Sequence, residues 1–117
     1  MVRRKQDADR PLYLISVVSH MLEVHPQTLR MYEREGFVTP RRINRQRLYS
    51  DKDVERLNLV IELTKDLGVN RAGVDIILRM RSRMEAMHRE ISDMMDFVDD
   101  DIRREFEKRL RAMFSEE

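Results

Sequence analysis

The sequence predicts a mainly α-helical fold, with one small β-hairpin set among short helices and a long helix after it. Three observations predict it. Only three Gly and three Pro occur in 117 residues, while 38% are charged and 41% hydrophobic, a composition rich in helix formers. Two short helical signals flank Glu23-Val24, and an Arg-rich stretch able to turn as a hairpin follows them. Ile77, Met80, Met84, Met87, Ile91, Met94 and Val98 then recur in the 3-4-3-4 spacing of an a/d seam.

The elements follow in order. Residues 1–11 are polar and charged, end at Pro11, and read as a flexible arm. Leu12 to Ile15 form a short apolar run, suited to a brief strand or a core-seating segment. Ser16 suits the N-cap of a first helix over 17–22, with Val18, Met21 and Leu22 on one side. Glu23-Val24 is the turn. The second helix begins near His25, with Pro26 at the first position, where no amide donor is needed. Leu29 and Tyr32 continue its buried side, and Gly36 ends it.

Strands are expected over 41–43 and 47–49, joined by a turn at Asn44-Arg45-Gln46. Ser50-Asp51-Lys52-Asp53 has the form of a capping box and opens a third helix. Val54, Leu57, Leu59, Val60, Ile61, Leu63 and Leu67 give that helix a wide apolar face, and Gly68 stops it. Asn70 caps a fourth helix that begins Arg71-Ala72-Gly73-Val74 and carries the heptads. A helix of some thirty residues is about 45 Å long, more than so small a domain can cover. Burial of the stripe is therefore expected to need a second copy. Asp99-Asp100-Asp101 breaks the register, and Ile102, Phe106, Leu110, Met113 and Phe114 form a new stripe. That is either a continued helix with a register shift or a separate one. The acidic start favours a fresh helix N-terminus.

The expected organisation is an arm over 1–11, a winged helix-turn-helix over 12–76, a coiled-coil dimerisation helix over 77–98 and a helical tail over 99–117. Six of the nine methionines lie between Met80 and Met113, read as adaptable core rather than a cofactor box.

Charge is unevenly placed. Residues 1–50 carry ten Lys/Arg against five Asp/Glu, and residues 51–117 carry thirteen against seventeen. A basic front and an acidic back suit a protein that offers one end to nucleic acid. The absence of cysteine excludes disulfides, thiolate metal sites and thiol redox sensing. No apolar run is long enough to span a bilayer, and no apolar segment follows Met1-Val2-Arg3-Arg4-Lys5. A soluble, cytoplasmic protein with no membrane partner is expected.

A helix that opens His25-Pro26-Gln27-Thr28 can enter a DNA major groove, with a basic wing along the phosphates beside it. Gln27 can bond adenine at N6/N7, and Thr28 can bond a base or touch a thymine methyl. His25 sits where the helix N-terminus nears the backbone. Arg30 suits a phosphate or guanine, and Met31 belongs to the same candidate set. Tyr32 is expected to be half core and half phosphate clamp, and Arg34 plain surface charge. In the wing, Arg42, Arg45 and Arg47 supply sequence-independent attraction, Asn44 or Arg45 reaches the minor groove, and Tyr49 completes the set. One such arginine alone is more often a solvated surface residue; their grouping beside a helix-turn-helix reverses that.

Catalysis, cofactors and metals find no support. His20 and His25 are five residues apart across a turn, and His88 reads as an exposed residue beside the seam. There is no nucleophile-base arrangement, Gly-rich phosphate loop or HExxH.

The segments Thr28-Leu29-Arg30-Met31-Tyr32-Glu33 and Arg47-Leu48-Tyr49-Ser50, in this order of helices and wing, resemble the MerR family of winged-helix regulators over residues 12–80. His25-Pro26-Gln27-Thr28-Leu29-Arg30 and Gly68-Val69-Asn70-Arg71-Ala72-Gly73-Val74 resemble its HspR branch. The resemblance implies a homodimer joined by an antiparallel coiled coil, bound to double-stranded DNA at an inverted repeat. It also implies repression of heat-shock chaperone genes, with a DnaK-type chaperone as candidate co-repressor. Phe106, Leu110, Met113 and Phe114 are the candidate chaperone contact; packing of these residues back on the coiled coil is the preferred alternative.

The chain departs from metal- and redox-sensing relatives in having no cysteine, and it has too short a tail for a drug-binding domain. Its wing lacks the glycine common at the tip. Two rival functions stay open: a GlnR-type nitrogen-metabolism repressor, and a modulator that binds a J-domain protein instead of DNA.

Overall fold

A computed structural model describes residues 5–115 and divides into two compact units, one ending at Leu78 and the other starting at Arg79. Most of the described residues are helical, and a small three-stranded sheet lies within the first unit.

Part of the stretch read as a flexible arm is helical. Lys5–Ala8 form a single turn, α1, while residues 1–4 lie outside the described residues. Strand β1 (Tyr13–Leu14) runs directly into helix α2 (Ile15–Leu22). Ser16 is therefore not the N-cap. Leu14, held extended by its pairing with Leu48, occupies that position with no side-chain bond, and Ser16 falls inside the first turn. Glu23 then takes a left-handed φ of 55°, and the Ser19 hydroxyl donates to the Val24 carbonyl at 2.5 Å, closing the turn.

Helix α3 (Pro26–Arg34) starts at His25 as its N-cap. It ends in a Schellman motif: the Gly36 amide donates to the Glu33 carbonyl and the Phe37 amide to the Tyr32 carbonyl, both at 3.0 Å. Gly36 has φ 83°, a left-handed conformation that other residues adopt at a cost. The accompanying apolar contact is Tyr32 on Phe37, with ring centroids 6.1 Å apart.

Strands β2 (Arg41–Ile43) and β3 (Gln46–Tyr49) form the hairpin, and β1 joins β3 on its other edge, giving the antiparallel order β1-β3-β2. Tyr13 lies opposite Tyr49, and Arg42 opposite Arg47. β3 starts one residue earlier than expected, so the turn is only Asn44-Arg45. Their φ values, 51° and 69°, form the positive pair of a type I′ turn, whose twist matches that of the strands.

Helix α4 (Asp51–Ile61) opens on the expected capping box, with the Asp53 amide donating to Ser50 Oγ at 3.1 Å and the Ser50 amide to Asp53 Oδ2 at 3.0 Å. A single π turn over Glu62–Asp66 follows, where the Thr64 hydroxyl donates back to the Val60 carbonyl at 2.8 Å. Gly68, at φ 66°, ends it. Asn70 Oδ1 accepts from the Gly73 amide at 2.9 Å and opens helix α5 (Arg71–Met95). Val18, Leu29, Tyr49, Leu57, Val60 and Val74 are fully buried and form the centre of the first unit. Ile77 is half-buried against this same core.

The second unit holds the rest of α5 and helix α6 (Asp100–Phe114). Helix α5 ends at Met95, so Val98 lies beyond the helix on which the seam placed it. The Asp99 carboxylate accepts from the Asp101 amide at 3.4 Å, making α6 a separate helix with its own cap. Arg103 Nε donates to the Met95 carbonyl at 3.3 Å, satisfying one of the orphan acceptors at the end of α5. No helix among the described residues is long and apolar enough to cross a membrane.

Candidate nucleic-acid interface

Helix α3 presents one outward stripe. Gln27, Met31 and Arg34 are exposed, and Arg30 is half-buried beside them. This spacing of three, four and seven residues keeps them on one face. His25 Nδ1 accepts from the Gln27 amide at 3.0 Å, satisfying an orphan donor of the first turn. Gln27 Oε1 accepts from Arg30 Nη1 at 3.4 Å, so these two polar side chains of the stripe are paired with each other. Thr28 is half-buried beside them.

The wing offers a second surface. Arg41, Arg42, Ile43, Asn44, Arg45 and Gln46 are all exposed, and Arg45 occupies the tip. Arg47 is different. Its Nε donates to Glu33 Oε1 at 2.5 Å, and its side chain is only 24% exposed. Arg42 Nη2 approaches the other oxygen of Glu33 at 3.5 Å while staying half exposed. One carboxylate of the outward-facing helix thus holds two guanidiniums of the wing.

Two tyrosines named as candidate DNA contacts are core residues instead. Tyr32 is 3% exposed, and its hydroxyl shares a hydrogen bond with Thr64 Oγ1 at 3.3 Å, so it is no phosphate clamp. Tyr49 is fully buried because its position in β3 faces inward, toward the helices. Among the described residues its hydroxyl has no hydrogen-bond partner. Burial pushes its ionisation above the ordinary 10.0, and the nearby Glu33 carboxylate adds to the effect.

Sequence reasoning missed the bracing of this surface. Arg56 Nε donates to the Phe37 carbonyl at 2.5 Å, tying α4 to the end of α3, and Arg71 pairs with Glu35. Glu33 itself carried a legible signal. It lies four residues after buried Leu29 and seven after Pro26, on the flank between core and solvent, with an Arg-rich segment next in sequence.

In the second unit, Met84, Met87, Ile91 and Met94 of the predicted seam line an apolar recess of about 680 Å³. Phe106, Leu110, Met113 and Phe114 line the same recess from α6. Met80, Met84, Met87 and Met94 nonetheless remain more than half exposed in the single chain. Among the described residues no group of three or more His, Asp or Glu side chains is placed to hold a metal ion.

Residues 13–81 match the family described as MerR HTH family regulatory protein. The chain is 37% identical to heat shock protein HspR of Streptomyces coelicolor over 92 residues, covering 78% of this chain and 61% of that one. It is 35% identical over 72 residues to the HTH-type transcriptional regulator GlnR of Bacillus anthracis, covering 61% of this chain and 55% of the relative. It is also 33% identical over 94 residues to the mercuric resistance operon regulatory protein of Bacillus cereus, covering 77% and 70% respectively. The match thus spans less than two thirds of the length of the first two relatives.

Proposed function

The chain belongs to the MerR family of helix-turn-helix regulatory proteins, and from that premise we propose that it is a DNA-binding transcriptional regulator acting as a homodimer on an inverted repeat. The observation that carries this reading is the outward stripe of Gln27, Arg30, Met31 and Arg34 on a His25-capped helix, beside a wing whose tip is Asn44-Arg45. The helix supplies groups that distinguish bases, and the wing supplies cations for phosphates. His25, Gln27, Thr28, Arg30 and Met31 form the reading surface; Arg42, Asn44 and Arg45 form the backbone contact.

Two copies meet along α5, by this reading, through Met80, Met84, Met87 and Met94. These side chains form an exposed apolar stripe that water alone does not favour. The regulated genes are heat-shock chaperone genes, repressed with a DnaK-type chaperone as co-repressor. The support for heat-shock control is the heat shock protein HspR relative, which aligns with more of this chain than the GlnR relative does.

A gel shift at moderate salt with a palindromic duplex and a scrambled one tests the reading. Preferential retardation of the palindrome with a steep salt dependence is expected. Failure to bind either duplex, together with a tight complex with a J-domain protein, overturns it.

A further inference from the structure

Glu33 stands at the junction of the two surfaces that DNA would meet, and its chemistry is opposed to that of DNA. A carboxylate on this helix repels phosphate, so its presence there costs affinity unless it does something else. What it does is visible in its contacts: Arg47 from β3 at 2.5 Å and Arg42 from β2 at 3.5 Å, on its two different oxygens. The Arg47 pair is largely withdrawn from solvent, with side chains 24% and 22% exposed, so it is screened less than a surface pair. Arg42 and Arg47 are directly opposite each other in the hairpin register. Glu33 therefore grips both strands at one rung, two residues in from the Asn44-Arg45 tip.

We propose that Glu33 is a positioning residue that sets discrimination between operator and random duplex. It holds the wing at one fixed distance from α3, and it keeps Arg47 from binding phosphates indiscriminately, while Arg42, half exposed, stays within reach of the backbone. The inference rests on the DNA-binding reading above and adds a specificity role for a residue of the wrong charge to attract DNA. Only a register in which α3 and the wing both fit lets the remaining cations engage. A wing released from α3 adapts to any backbone.

Simple charge arithmetic also predicts that removing Glu33 tightens binding, so the sign of the affinity change alone does not decide. Discrimination does. Anisotropy titrations of the wild-type chain, Glu33→Gln and Arg47→Gln with the palindrome and a scrambled duplex of equal length, across a salt series, provide the measurement. For Glu33→Gln, the scrambled duplex is expected to bind more tightly, with a salt slope steeper by about 0.9 for one additional phosphate contact. The palindrome is expected to gain less, so the ratio of the two affinities falls.

Arg47→Gln breaks the same grip from the wing side while removing a cation. It is expected to lower the ratio without steepening the slope. It also keeps the test decisive should Glu33→Gln fail to fold. A wild-type affinity ratio in either folded variant overturns the proposal. Absence of wild-type binding to both duplexes instead overturns the reading on which it rests.

Discussion

His88 meets the ring of Phe114 edge-on, with centroids 5.2 Å apart and planes at 78°, so the end of α6 lies against α5 two turns before that helix stops. The acidic cap at Asp99 and the Arg103 bond to the Met95 carbonyl hold the other end. The second unit is therefore a helical hairpin, and the methionine stripe of α5 shares its recess with the stripe of α6. Burial of the recess is incomplete within one chain, which is the ground for proposing that a second copy covers the stripe.

A charge placed in that stripe should separate the copies. Met84 and Met87 are 51% and 63% exposed, so aspartate at either is tolerated in a lone chain. In a dry seam an unpaired carboxylate costs several kcal/mol, on the order of 3–5. Met84→Asp is expected to sediment as a monomer with unchanged helix content and to lose cooperative operator binding. A dimer of unchanged mass would move the interface elsewhere.

Base reading should depend on Gln27 at one operator position. Gln27→Ala is expected to cost about 1–3 kcal/mol on the best site and to relax preference for one base pair. It also frees Arg30 from its 3.4 Å bond to Gln27 Oε1, so affinity for random duplex should not fall in parallel. Equal losses on both duplexes would remove Gln27 from the reading surface.

The wing tip sets stability against affinity at one residue. Arg45 sits at φ 69°, a left-handed conformation that costs a side-chain-bearing residue roughly 1–2 kcal/mol. Arg45→Gly is expected to raise the melting temperature yet weaken all duplexes alike, flattening the salt slope by about 0.9. Arg45→Ala keeps the strain and should show only the second effect. An unchanged slope in both variants would take the wing off the DNA.

Tyr49 should behave as a core residue. An unpaired buried hydroxyl costs about 1–3 kcal/mol, so Tyr49→Phe is expected to be neutral or stabilising and to leave DNA affinity intact. Its folded ionisation lies above the unfolded 10.0, so the folded state holds the proton more tightly. That contribution is full below pH 10.0 and is lost as pH rises through the folded value. Denaturation midpoints measured from pH 8 to 11 should fall less steeply for Tyr49→Phe than for wild type. A lost operator affinity in this variant would return Tyr49 to the interface.

Local chemistry made most elements legible in the sequence. Pro26 at a first position, Gly36 and Gly68 at helix ends, the Ser50–Asp53 box and Asn70 each act within four residues, and each does so in the structure. The placement of Tyr32 and Tyr49 was not legible, because an aromatic beside a charged face fits core and phosphate equally until the strand and helix that cover it are known. The two-residue turn escaped for a related reason: without glycine at the tip, only the pairing of Ile43 with Gln46 fixes its length. The flank position of Glu33 was legible from its spacing to Leu29, but its partners were not, because only the hairpin brings Arg42 and Arg47 beside it.

Two chains joined along α5 are proposed to present two reading helices to an inverted repeat. Selection of binding sites from a randomised duplex pool, followed by sedimentation of the chain with the enriched sequence, tests it most directly. An enriched palindrome, two chains per duplex and a dimer in the absence of DNA are the expected results. An enriched sequence without twofold symmetry, bound by a single chain, would contradict it.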